Sequence, residues 1–132
     1  MEKLTHSYDF LSSSVDGINL FYRKFTDVPF TGNITGIQDG ELQLGIKEGT
    51  WTFYYQNGQL EKKGSYIYGI KEGVWEYYWD NGQLFRRGAY EGGKKEGLWE
   101  DYHENGQLWD KGGYEGGRKK GLWEAFWING QI

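Results

Sequence analysis

The chain has no cysteine and a single proline, Pro29, in 132 residues. Without cysteine there is no disulfide staple and no thiolate metal site, and the redox compartment is left open. Leu, Ile, Val and Met are sparse, so an aliphatic core is excluded. No apolar run approaches the roughly 20 residues of a membrane-spanning helix. The start, MEKLTHSYDFLSSSV, lacks the long apolar region of a signal peptide. The chain is expected to be soluble and cytoplasmic, unless a leader has been trimmed from it. Cations are short as well: 15 Lys and Arg against 19 Asp and Glu give a net charge of −4. That balance argues against wholesale binding to nucleic acid, which usually needs a basic face. No phosphate loop, dinucleotide fingerprint, zinc motif or serine-nucleophile elbow is present.

Rings and glycines fill the space left by these absences. Trp, Tyr and Phe number 7, 11 and 7, and there are 22 glycines. Burial must come from flat rings. The tripeptide Asn-Gly-Gln stands at Asn57, Asn81, Asn105 and Asn129, each time 24 residues after the last. Three full copies (47–70, 71–94, 95–118) and a partial one (119–132) share the frame K-x-G-x-W-x-x-[YF]-x-x-N-G-Q-[LI]-x-x-x-G-x-Y. Such periodicity marks a repeat architecture.

Asn-Gly between aromatic runs is a strong hairpin signal, and a two-residue type I′ turn suits it. The pairs Asn57-Gly58, Asn81-Gly82, Asn105-Gly106 and Asn129-Gly130 are therefore read as hairpin tips. With Gln56 facing Gln59, the register places Trp51 opposite Gly64, Trp75 opposite Gly88 and Trp99 opposite Gly112, the ring covering the bare glycine. Trp123 opens the same pattern in the partial copy. Tyr55, Trp79 and His103 fall opposite Leu60, Leu84 and Leu108 on the same face, called face A. Face B carries Glu76 opposite Arg87 and Glu100 opposite Lys111, with Glu61, Phe85 and Trp109 nearer the tips. Upstream, Asp39-Gly40 reads as another hairpin turn with a shortened return strand, and 15–32 as one more strand pair. Residues 1–15 are taken as a tail or cap and 16–46 as an atypical capping unit. After the fourth turn the last return strand is almost absent. Either the chain was cut there, the preferred reading, or the open edge serves self-association.

The frame, over roughly residues 28–132, resembles the MORN repeat (membrane occupation and recognition nexus) in its bacterial variant, and PFTG ahead of it is similar to the start of many such chains. The resemblance implies an all-β, elongated, single-layer antiparallel meander of tandem hairpins, each repeat advancing about 10 Å. For function it implies a wide choice: scaffolds, phospholipid binders, and YwqK-like antitoxin or immunity proteins. A shared fold does not select among these.

Positions that recur build the hairpin, whereas positions that vary between copies are free for recognition. On face A these are Phe53, Tyr77, Asp101 and Ala125, and Tyr55, Trp79, His103 and Trp127; the return strands add Lys62, Arg86 and Asp110. Asp101 and Asp110 fall directly opposite each other, a destabilising like-charge pair. They read as an acidic patch or a weak cation site, or, the favoured alternative, as charges neutralised by Arg86 of the previous repeat. With neither nucleophile nor enclosed pocket, they do not make an enzyme. No catalytic residue, metal or cofactor is expected. The basic clusters Lys62-Lys63, Arg86-Arg87, Lys94-Lys95 and Arg118-Lys119-Lys120 are read as a solvated surface before a row for phosphates. Face-A rings with nothing to cover them point to a protein-binding surface. Phe53, Tyr55, Tyr77, Trp79, Asp101, His103, Asp110 and Trp127 are the candidate contacts. The runner-up is a membrane-surface scaffold binding anionic phospholipid through the basic joins. A third reading is an aromatic platform for glycan or single-stranded nucleic acid.

Overall fold

The computed structural model describes residues 2–4, 10–15, 18–23, 31–34 and 36–127. All of its regular structure is β: β1 (Glu2–Leu4), β2 (Phe10–Val15), β3 (Ile18–Arg23), β4 (Gly32–Ile34), β5 (Gln38–Gln43), β6 (Ile46–Tyr54), β7 (Leu60–Ile67), β8 (Ile70–Tyr78), β9 (Leu84–Glu91), β10 (Lys94–Tyr102), β11 (Leu108–Glu115) and β12 (Arg118–Ala125). From β5 to β12 the strands form one open antiparallel meander in chain order, as the repeat frame requires. β4 extends it antiparallel to β5, and β1 joins β4 in parallel. β2 and β3 form a separate hairpin that begins earlier than the strand pair read at 15–32.

The expected register holds through the body of each hairpin. Trp51 pairs with Gly64, Trp75 with Gly88, Trp99 with Gly112, and Asp101 with Asp110. The tips differ from expectation. Tyr55 N–H donates to Gln59 O (2.8 Å) and Gly58 N–H to Tyr55 O (2.9 Å), enclosing a three-residue loop. Gly58 takes positive φ and Asn57 does not, so this is not a type I′ turn. Asn57 instead uses its side chain: Oδ1 accepts from Gln59 N–H (2.9 Å), and Nδ2 donates to Asp80 O of the next hairpin (3.0 Å). The longer loop shifts the register, and a bulge at Glu61 restores it, leaving Tyr54 rather than Tyr55 opposite Leu60. The same happens at Phe85 and Trp109. Asn129 and Gly130, the fourth tip, lie outside the described residues.

Turns with two successive positive φ values occur at the joins between hairpins: Leu44-Gly45 (51° and 81°), Tyr68-Gly69 (50° and 77°), Gly92-Gly93 and Gly116-Gly117. At the first, Leu44 N–H donates to Thr31 Oγ1 (2.6 Å); the other three are held by the Lys-Glu-Gly of the frame. Lys47 O accepts from Gly69 N–H, and the Glu48, Glu72 and Glu96 carboxylates accept from the N–H of Tyr68, Gly92 and Gly116.

Asp39-Gly40 is not a turn. Both residues lie inside β5, and a Cβ on Gly40 would stand 2.1 Å from Trp51 Cδ2. This glycine is bare because an indole lies on it. Gly64 likewise lies under Trp75, Gly88 under Trp99 and Gly112 under Trp123. Each ring thus covers the glycine of the preceding hairpin, not that of its own register partner. In three of the four the Nε1 donates to the carbonyl beside that glycine, Trp51 to Glu41 O, Trp75 to Ser65 O and Trp99 to Ala89 O, while Trp123 Nε1 is buried without a hydrogen-bond partner. The ladder is interrupted at that point, between Lys63 and Ser65 for example, so the indole takes up an acceptor the strands leave open. Trp51, Trp75 and Trp99 are almost fully buried in this way.

Candidate functional site

Strand alternation sorts the side chains. Face A carries a row of rings meeting edge to face: Trp51–Tyr66, Tyr66–Trp75, Trp75–Tyr90, Tyr90–Trp99, Trp99–Tyr114 and Tyr114–Trp123, with centroids 5.0–6.4 Å apart. The frame lysines lie down on these rings. Lys47 stands 5.2 Å from the Trp51 centroid, Lys71 4.8 Å from Trp75, Lys95 4.7 Å from Trp99 and Lys119 4.5 Å from Trp123. These cation–π contacts are worth about 0.5–2 kcal/mol each. From sequence the tyrosines of this row were assigned to the scaffold, and Lys95 and Lys119 to basic clusters on a solvated surface. Alternation from the Trp would have put them on face A.

Beside the rings runs a second ladder on face A, built from the variable positions: Gln38, Phe53, Lys62, Tyr77, Arg86, Asp101, Asp110 and Ala125, each paired with the next. Arg86 holds Asp101 in a two-pronged bond, Nε to Oδ1 at 2.8 Å and a terminal nitrogen to Oδ2 at 3.1 Å. This is the neutralisation favoured from sequence. Asp110 is left as the second carboxylate. Its Oδ1 is buried without a hydrogen bond, and burial followed by the nearby Asp101 charge raises its pKa. Tyr77 and Tyr90 hydroxyls meet at 3.1 Å, with Lys71 Nζ donating to Tyr77 at 3.0 Å. Burial raises both tyrosines, Tyr90 to about 12.

Phe53, Tyr77, Asp101 and Asp110 are therefore brought together as expected. Tyr55, Trp79 and His103 are not opposite the leucines. They stitch each tip to the next hairpin: Tyr55 hydroxyl to Tyr78 O, Trp79 Nε1 to Tyr102 O (3.1 Å), and His103 Nε2 facing Phe126 O (3.4 Å). The bulges also bring Phe85 to Trp79 (4.4 Å) and stack Trp109 on His103 (5.0 Å, 9° between planes). These rings, placed on opposite faces at sequence level, share one side. Trp127 is exposed.

Face B keeps the expected oppositions, Glu76 to Arg87 and Glu100 to Lys111. Its ion pairs join neighbouring hairpins: Lys63–Glu76 (3.5 Å) and Arg87–Glu100 (3.2 Å), with Lys120–Glu115 (2.7 Å) at the last join. Alternation splits each basic cluster between the faces: Lys62, Arg86, Lys95 and Lys119 go to face A, and Lys63, Arg87, Lys94, Arg118 and Lys120 to face B. Val74, Leu98 and Leu122 are exposed at the position that Thr50 holds in the first repeat. Among the described residues no three His, Cys, Asp or Glu side chains gather to hold a metal.

The MORN repeat variant matches residues 47–68, 71–91 and 95–115. Each of these three segments is similar to that repeat and contains one hairpin tip described above. MORN repeats are generally protein- or membrane-binding modules. No curated protein matches the chain.

Proposed function

We propose that this chain is a non-enzymatic interaction module that binds a protein partner across face A. The observation that carries the reading is the continuous band of rings, hydroxyls and charges running over successive repeats. Trp51, Trp75 and Trp99 are buried beneath it, so the area it offers comes from Phe53, Tyr77, Tyr90 and Tyr114, half-buried rings of which Tyr is enriched at binding hot spots. Variation is concentrated in the ladder from Phe53 to Ala125, which would set specificity while the Trp–Gly pairs hold the sheet. An antitoxin or immunity role is one form this binding would take, and cytoplasmic location goes with it. The membrane alternative, anionic phospholipid on the basic joins, would use only those residues of each cluster that alternation sends to one face.

Tyr77 and Tyr78 are adjacent and point to opposite faces. Pull-down from source cells should lose the partner with Tyr77→Ala and keep it with Tyr78→Ala, both folded by circular dichroism. Retention by Tyr77→Ala, or loss with Tyr78→Ala alone, would contradict the proposal.

A further inference from the structure

The charge of this acidic chain is sorted by face. Between the joins and the bulges, face A carries the cations Lys47, Lys62, Lys71, Arg86, Lys95 and Lys119. Against them, among the described residues, stand Asp101 and Asp110. That is a net +4 on one face of a chain whose total is −4. The sorting follows from the Lys-Glu-Gly of the frame. Lysine goes to face A, while the adjacent glutamate caps a join.

The cations crowd one another. Burial, then the charges of Lys62 and Lys71, pulls the Lys47 ammonium down to about 8. Burial likewise lowers Lys62 and Lys95. An anion set among them would relieve this repulsion.

We infer that the segment received by face A is an acidic stretch of a partner protein, with carboxylates set against Lys71 and Lys95. The inference rests on the protein-binding reading above. Three features favour a peptide over a lipid surface or a nucleic acid strand. The ammonium groups lie down on the rings, so an anion must descend to the sheet, which single side chains do and a flat headgroup layer does not. The Tyr77–Tyr90–Lys71 network supplies hydroxyls suited to peptide groups. Farther along, Asp110 already carries an unfavourable carboxylate, and a uniform polyanion would have to cross it. A peptide can change sign there. From β8 to β11 the span is roughly 14 Å at the usual strand spacing, within reach of a short extended segment.

The probe is a fluorescein-labelled, glutamate-rich peptide interspersed with leucines, followed by anisotropy at low salt. A lysine-rich peptide of the same pattern, phosphatidylcholine–phosphatidylserine vesicles and oligothymidylate are compared with it. Lys71→Gln/Lys95→Gln should weaken the acidic peptide about tenfold, the effect of two modest ion pairs. Lys94→Gln/Arg118→Gln, the same charge change on face B, should leave it unchanged. If the face-A pair does not fold, single Lys95→Gln against single Lys94→Gln makes the same comparison between sequence neighbours. Equal losses from the two faces, or binding to vesicles or oligothymidylate without the peptide, would overturn the inference. If Tyr77→Ala abolishes partner capture while Lys71→Gln/Lys95→Gln does not, the acidic chemistry falls and the protein-binding reading stands. If neither matters, both fall.

Discussion

At the scale of single residues, glycines that look alike do different jobs. Gly112 lies under Trp123, where a Cβ would approach to 2.1 Å, whereas a Cβ on Gly113 would meet Lys120 O at 3.4 Å. Gly112→Ala should therefore cost at least about 2 kcal/mol from overpacking. Gly113→Ala, which copies Ala89 of the previous repeat, should cost under about 0.5 kcal/mol. Urea midpoints of the two variants test the difference. Tyr68 takes φ 50° at a join where the later copies have Gly92 and Gly116. Tyr68→Gly should raise stability by about 1 kcal/mol, the cost of a left-handed non-glycine residue; an unchanged midpoint would contradict this. Asp110 has a pKa raised by burial and by Asp101, so it binds protons more readily folded than unfolded. Its penalty is fully present above the folded pKa and relieved as pH falls through it. Asp110→Asn should stabilise the protein at neutral pH by about 0.5 kcal/mol, after solvent screening, and flatten the acid limb of the melting curve.

At the scale of the element, the hairpin was legible and its turn was not. Asn-Gly marked every described tip, and the pairings of Trp51, Trp75, Trp99 and Asp101 follow from the sequence. Local propensity could not show that Asn57 and Asn81 reach the next hairpin, at Asp80 O and Glu104 O. That contact needs a neighbour 23 residues ahead. The same blindness made Asp39-Gly40 look like a turn: the indole that requires a bare Gly40 comes from the following strand. The candidate site was read in part. The variable ladder with its carboxylate pair was visible, but the cationic row was hidden by summing Lys and Glu that alternation sends to opposite faces. Asn81→Ala removes two hydrogen bonds, to Gln83 N–H and Glu104 O. It should cost about 1–2 kcal/mol and speed hydrogen exchange at both neighbouring tips.

At the scale of the whole molecule, stability is shared along a one-dimensional stack, and the face it exposes is alkaline-sensitive. Lys47 has its ammonium lowered from 10.5 to about 8, so between those values the unfolded chain binds more protons and stability rises with pH. The tyrosines act oppositely: Tyr90 is raised from 10.0 to about 12, so stability falls once unfolded tyrosine ionises. The thermal midpoint should therefore climb above pH 8 and turn down beyond pH 10; a monotonic fall would contradict the crowding of cations on face A. The central claim is that face A, and not face B, meets the partner. A photocrosslinking residue placed in source cells at 77 and 125 on face A, and at 78 and 124 on face B, tests this most directly. The account predicts protein adducts from 77 and 125 alone. Adducts from 78 and 124, or equal yields from both faces, would contradict it.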